Sequence, residues 1–107
     1  MSDVRITVVR SFDKHELFVP LPDELELIPS PCRLQEGQQF TCGDEQLPEG
    51  FCSWAFNDIF RDIVHLMRGG NYPWIGKDGV TYSSCTDGRK TVVFKLERVL
   101  VLPLGTV

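Results

Sequence analysis

Near the middle of the chain, apolar side chains recur at helical spacing: Ala55, Ile59, Ile63 and Leu66 form one stripe, flanked by Phe56, Phe60 and Met67. A stripe of that width belongs to a helix lying on a core. Ser53 ahead of it is a good N-cap, because its hydroxyl can accept from an orphan amide of the first turn. Arg68 followed by Gly69-Gly70 is a helix stop. The spacing predicts a helix over about residues 54–68, and nothing else in the chain carries that period at comparable length.

The remaining segments read as strands and loops. Val4, Ile6 and Val8 alternate with Arg5 and Thr7, the pattern of a half-buried strand. Residues 16–31 hold Pro20, Pro22, Pro29 and Pro31. Proline fixes φ and removes a donor, so this stretch is extended or looped, with at most a short turn of helix. Its apolar residues, among them Leu17, Phe18, Leu25 and Ile28, suit a segment packed over the domain. Gly37 marks a turn into a short strand ending near Cys42, and 43–50 is loop by composition. Val80 to Cys85 forms a strand, Asp87-Gly88 is a hairpin signal, and Val92, Phe94 and Leu96 alternate along the second arm. The order is β, loop, β, α, β, β. This is an α+β domain in which one principal helix covers a small, mainly antiparallel sheet.

With 107 residues the chain fits a single domain, 1–107, large enough to bury a core. Beyond the hairpin, 99–107 is an apolar extension. A bare edge of that composition invites association, so the chain is expected to form a homodimer. Eleven basic residues stand against 15 acidic ones, a net charge of -4, with no clustered Lys/Arg face. Neither nucleic acid nor an anionic membrane surface suits that balance. The N-terminal MSDVRITVVRSF does not read as a signal peptide, so a cytoplasmic location is expected, where thiols stay reduced. No phosphate loop, H-E-x-x-H, G-x-S-x-G or dinucleotide fingerprint is present. A nucleotide cofactor and serine hydrolysis are therefore not expected.

The cysteines carry the chemistry that remains. Cys52 precedes the helix cap, where unpaired amides and the positive dipole end favour a thiolate, the form needed by a nucleophile or a soft metal ligand. The plainer alternative is a small buried side chain under Phe51. Cys85 ends a strand just before Asp87, whose carboxylate suits either a site or ordinary turn chemistry. Cys32, Cys52 and Cys85 together would suit Zn or Cu(I), with His65 or His15 as a fourth ligand. Spacings of 20 and 33 residues, with no C-x-x-C pair, make the local signal weak. Asp58 and His65 are candidate proton-handling groups on the helix. Asp62 with His65 at i, i+3 can orient an imidazole or form part of a solvated polar face. Trp54 and Trp74 are candidates to line a pocket and serve equally well as core.

Two segments extend this reading. Pro48-Glu49-Gly50-Phe51-Cys52-Ser53-Trp54-Ala55 and Cys85-Thr86-Asp87-Gly88, continuing through Val92-Val93-Phe94-Lys95 to Glu97-Arg98, resemble the "PEGFCxWA" and "CxDGxRPVVFKxER" motifs of a family of small uncharacterised prokaryotic proteins. The resemblance covers roughly residues 3–10 and 32–98 and places Cys32, Cys52 and Cys85, but not Cys42, at the family's cysteine positions. Arg33 stands in place of a proline, the segment 16–31 is longer, and Lys90-Thr91 replace an arginine and a proline. The resemblance implies a shared fold and a shared three-cysteine arrangement, and no reaction. The residues themselves point to a small-molecule pocket centred on Cys52 at a helix N-terminus. The alternatives are a Zn or Cu(I) site on three thiolates and a non-catalytic dimeric module.

Overall fold

The structure is a computed structural model and describes residues 2–100. Four strands form one antiparallel sheet: β1 (Asp3–Ser11), β2 (Gln39–Cys42), β3 (Val80–Ser84) and β4 (Val92–Val99), in the order β2-β1-β4-β3. Two helices accompany them, the single turn α1 (Lys14–Leu17) and the long α2 (Ser53–Met67). The α+β architecture expected from the pattern is present, with α2 as the principal helix.

The two central strands, β1 and β4, come from opposite ends of the described chain and pair from Asp3 with Val99 to Ser11 with Val92. Each alternates buried with half-exposed residues, and the buried set meets α2. Val4, Ile6, Val8, Val92, Phe94 and Leu96 join Ala55, Ile59, Ile63, Leu66 and Met67 in one core. Each of these side chains except that of Ala55, fully buried, contributes about 1.5–3 kcal/mol relative to exposure. The register shifts between Val8 and Arg10, leaving Val9 exposed as a bulge. Beside it Gly37, at φ 92°, turns the chain into β2, its amide bonding Val8 O at 2.8 Å. The expected short strand here is β2.

The proline-rich stretch is held by a lysine. Asp13 and Glu16 form a capping box that starts α1. This presents Lys14, only 7% exposed, to the segment that follows. Its ammonium donates to Leu25 O and Ile28 O at 2.9 Å each and to Glu26 O. All three ammonium donors are thereby used, gathering a 3-10 turn at Asp23–Leu25 into place.

Two details differ from the sequence expectation. The N-cap of α2 is Cys52, not Ser53, and it makes no side-chain capping bond. Ser53 has helical geometry instead, because the turn Pro48–Phe51, closed by Phe51 N to Pro48 O at 3.1 Å, delivers the chain one residue sooner. The apolar extension begins with Val99, the last residue of β4; residues 101–107, on which the homodimer expectation rested, lie outside the described residues. Among the described residues no helix is long and apolar enough to cross a membrane.

The C-terminus of α2 is closed by β4. The Arg98 guanidinium donates to Leu66 O at 3.0 Å, to Gly70 O at 2.7 Å and to Asn71 Oδ1 at 2.7 Å. A cation at this end also meets the negative pole of the helix. Arg98→Ala should therefore lower unfolding free energy by about 2–3 kcal/mol, read from urea titration. Arg68→Ala, which removes only the surface pair to Glu45, should cost under about 1 kcal/mol. Equal losses would refute the capping role.

Cys42 is core, fully buried, with its thiol donating to Gln46 O at 3.2 Å. Burial, with Asp3 and Glu45 nearby, pushes this thiol up to about 11, against about 8.5 for an unfolded cysteine. The folded state thus holds the proton more tightly, so the stabilisation is full below about pH 8.5 and is lost as pH rises toward 11. Tyr72, pushed to about 12 by burial and by its bond to Asp62, acts in the same direction at still higher pH. The urea midpoint should fall between pH 8.5 and 11, and Cys42→Ala should flatten that slope. An equally steep slope in the variant would contradict this account.

Candidate functional site

The turn that delivers α2 also positions Cys52. Gly50 at φ 80° permits the tight approach, and Phe51, buried, packs against Phe40 and Phe94 with ring centroids 5.0 and 5.4 Å apart. Edge-on and tilted pairs of this kind fix orientation as well as burying area. Arg33 Nη1 bonds Gly50 O at 3.0 Å, tying the Cys32 segment to the same turn. Cys32 and Cys52 are thus both anchored by the chain immediately beside them.

Cys85 is placed by the β3–β4 hairpin. Its amide bonds Val92 O at 3.0 Å, and its sulfur accepts from Val92 N at 3.3 Å. The loop beyond it is bound to α2. Trp54 Nε1 donates to Thr86 Oγ1 at 2.8 Å, and that hydroxyl donates on to the Asp58 carboxylate. Asp58 also accepts from Thr86 N at 2.7 Å. Inside the loop, Asp87 accepts from Arg89 N at 3.0 Å and from the Arg89 guanidinium at 2.9 and 3.1 Å. The guanidinium holds the Asp87 carboxyl below the usual carboxylate range.

These constraints enclose a cavity of about 490 Å³. Pro29, Pro31, Cys32, Arg33 and Leu34 come from the proline-rich segment and its exit; Cys52, Trp54 and Ala55 come from the start of α2. Cys85, Asp87, Arg89 and Lys90 come from the hairpin, and Val92 and Phe94 from β4. Three of the four cysteines therefore line one cavity. Cys42 does not, and all four are free thiols.

The other candidates separate from it. His65 and Trp74 line a second cleft of about 530 Å³ with Arg61, Asp62, Tyr72 and Thr81–Ser83. There His65 Nε2 donates to Asn71 O at 2.9 Å and its ring lies 4.6 Å from that of Tyr72. Asp62 accepts from the Tyr72 hydroxyl; each residue bonds the loop after the helix, and no hydrogen bond joins Asp62 to His65 among the described residues. His15 pairs with Asp13 on the surface. Asp58 is occupied by Thr86 and does not line the cysteine cavity. Neither His65 nor Asp58 therefore lines the cavity that holds Cys52. Trp54, 59% exposed, forms a wall of the cavity and not core, and Trp74, 75% exposed, is likewise not core.

Among the described residues no group of three or more His, Cys, Asp or Glu side chains is gathered closely enough to hold a metal ion. The expected ligand set Cys32, Cys52, Cys85 shares a cavity without forming a coordination cluster. Thiolates bind Zn at about 2.3 Å, whereas these three sulfurs come from separate elements around a cavity of about 490 Å³.

Sequence reasoning did not single out Arg33, Arg89 and Lys90 as lining residues. The departures of Arg33 and Lys90 from the motif pattern were the available signal, since both occur where the chain differs and both border the cavity.

No protein-family model matches the chain, and comparison with curated proteins and with solved structures gave no match. The Asp58–Thr86 clamp carries its own prediction. Asp58→Asn, which retains one acceptor and loses the charge, should cost about 1–2 kcal/mol. It should also accelerate hydrogen exchange of the Thr86 amide and alkylation of Cys85. Unaltered protection of that amide would rule out the clamp.

Proposed function

We propose that this chain binds a small organic molecule in the three-cysteine cavity and captures it through Cys52, without a nucleotide cofactor. The observation that carries this reading is the shared cavity. Cys32, Cys52 and Cys85, distant in sequence, line one space of about 490 Å³, within the range of ordinary ligand pockets. Its walls are mainly apolar with a few polar groups, the usual composition of a small-molecule site.

Cys52 is the preferred nucleophile because of its place in the fold. As the N-cap of α2 it makes no side-chain capping bond, so the first-turn amides lack the acceptor that Ser, Thr, Asp or Asn would offer. The residue stands at the positive end of a 15-residue helix. Capture consists of attack by the Cys52 sulfur on an electron-poor carbon: a C–S bond forms, the bond from that carbon to its leaving group breaks, the leaving group departs with the electron pair, and the thiol proton passes to solvent. Cys85, whose sulfur already accepts a backbone amide, and Cys32 border the reacting centre. Trp54 closes one wall.

Asp87 is the one carboxylate lining the cavity among the described residues, and Arg89 keeps it ionised. Its work is to shape the hairpin tip. The kinship suggested by the two motifs is proposed on the same ground, since Cys52, Trp54, Ala55, Cys85, Asp87 and Phe94 from those motifs all line the cavity. A reducing compartment suits the function, because capture requires the free thiol.

Timed alkylation by iodoacetamide at pH 7, mapped by mass spectrometry, tests the reading. Cys52 should react first of the four cysteines, about tenfold faster than glutathione, and Cys42 last. Cys52→Ser should leave the unfolding free energy within about 0.5 kcal/mol. If Cys52 reacts no faster than glutathione, capture through this thiol is wrong.

A further inference from the structure

The charges around the cysteine cavity are not those of the chain. The protein carries a net charge of -4, yet the cavity is lined by Arg33, Arg89 and Lys90 against the single carboxylate of Asp87. Asp87 is fully engaged by Arg89, which donates to both of its oxygens. That pair is internally neutral. Lys90 makes no ion pair and no side-chain hydrogen bond among the described residues, and Arg33 spends one guanidinium nitrogen on a neutral carbonyl, Gly50 O. Three cations against one carboxylate leave the lining with an excess of two positive charges in an acidic protein, and Lys90 lies near enough to Asp87 to help Arg89 lower its carboxyl. Arg33 and Lys90 come from different segments, Arg33 from the one leading out of Cys32 and Lys90 from the hairpin.

Behind these cations the cavity is apolar. Leu34, Val92 and Phe94 are buried side chains of the core that also line it, and Trp54 and the two prolines complete the apolar wall. An inorganic anion would satisfy the cations and waste that surface. A neutral apolar molecule would fill the surface and leave the cations unanswered. We infer that the ligand of this cavity is an organic carboxylate with an apolar body, its carboxylate between Arg33 and Lys90 and its body against Leu34, Val92, Phe94 and Trp54. Arg33 supplies the planar fork that matches a carboxylate, and Lys90 supplies a point charge.

This assignment rests on the cavity being the ligand site, as proposed above, and does not depend on the reactivity of Cys52. The experiment separates the two. Octanoate and octanol share an apolar body and differ in charge. Their binding is measured by titration calorimetry on the full chain carrying Cys52→Ser, so that no thiol capture contributes. Octanoate should bind about tenfold more tightly than octanol. Arg33→Ala and Lys90→Ala should each weaken octanoate about threefold to fivefold, the range of a solvent-accessible ion pair, and leave octanol unchanged. Lys77→Ala, an exposed cation outside the cavity, should change neither. Raising salt should narrow the preference.

Equal affinity for the two probes would overturn the carboxylate assignment while leaving a binding cavity. A preference that survives loss of both Arg33 and Lys90 would overturn it as well. Absence of binding by either probe would overturn both the assignment and the proposed ligand site. Slow alkylation of Cys52 alongside an intact octanoate preference would sink thiol capture alone.

Discussion

The site depends on one packing contact, α2 laid across the two central strands. Ile59, Ile63 and Leu66 share a fully buried core with Ile6, Val8, Phe94 and Leu96. The helix is then pinned at both ends by polar bonds that the apolar contact alone does not specify. Near its start, Trp54 and Asp58 hold Thr86 of the hairpin; past its end, Arg98 of β4 caps the last carbonyls. Hydrophobic burial is non-directional, so it sets that the helix lies on the sheet. The directional bonds set where along the sheet it lies. Sliding α2 by one turn would break both pins and dissolve the cavity at its N-terminus.

That arrangement assigns different work to residues that look alike in sequence. Cys42 and Cys52 stand at similar distances from glycines and aromatics, yet one is sealed in the core and the other caps a helix beside a cavity. Asp58 and Asp87 both serve the hairpin, one by gripping Thr86 from the helix and the other by organising the loop with Arg89. Arg98 could pass for a surface charge at the end of a strand. It spends its donors on a helix terminus instead, which explains why an alternating strand carries a half-buried guanidinium there. Lys14 does the same for the proline-rich segment, whose carbonyls have few amides to pair with because so many residues are proline or lie in turns.

The cavity's chemical character emerges from elements that are individually unremarkable in the chain. The apolar wall is the edge of the core, and the thiols come from three separate approaches to it. The cations come from Arg33 and Lys90. A net acidic chain can still present a cationic site, because charge is felt locally: screening limits exposed charges to about 8 Å at physiological salt. The global balance of -4 does not oppose a small organic anion at such a site.

How much of this was legible beforehand follows from the range of each interaction. Period 3.6 over Ala55–Leu66 and period 2 along Val4–Val8 and Val92–Leu96 are local, so the helix, the flanking strands and the α+β class could be read directly. The helix starts one residue earlier than the pattern predicts: Ser53 has the better capping side chain, but the Pro48–Phe51 turn, held by packing of Phe51 on Phe40 and Phe94, decides the entrance. Sequence pattern groups His65 with Cys52 because both lie on or beside one helix. Thirteen positions along a helix correspond to about 20 Å, and the structure puts them at different cavities. Pairing of β1 with β4 and convergence of Cys32, Cys52 and Cys85 join residues tens of positions apart. Local pattern therefore determined the elements and which face of each is apolar. Only the tertiary structure decided which strands are neighbours, which thiols share a cavity and which cations border it, because those depend on long-range contacts that no local period encodes.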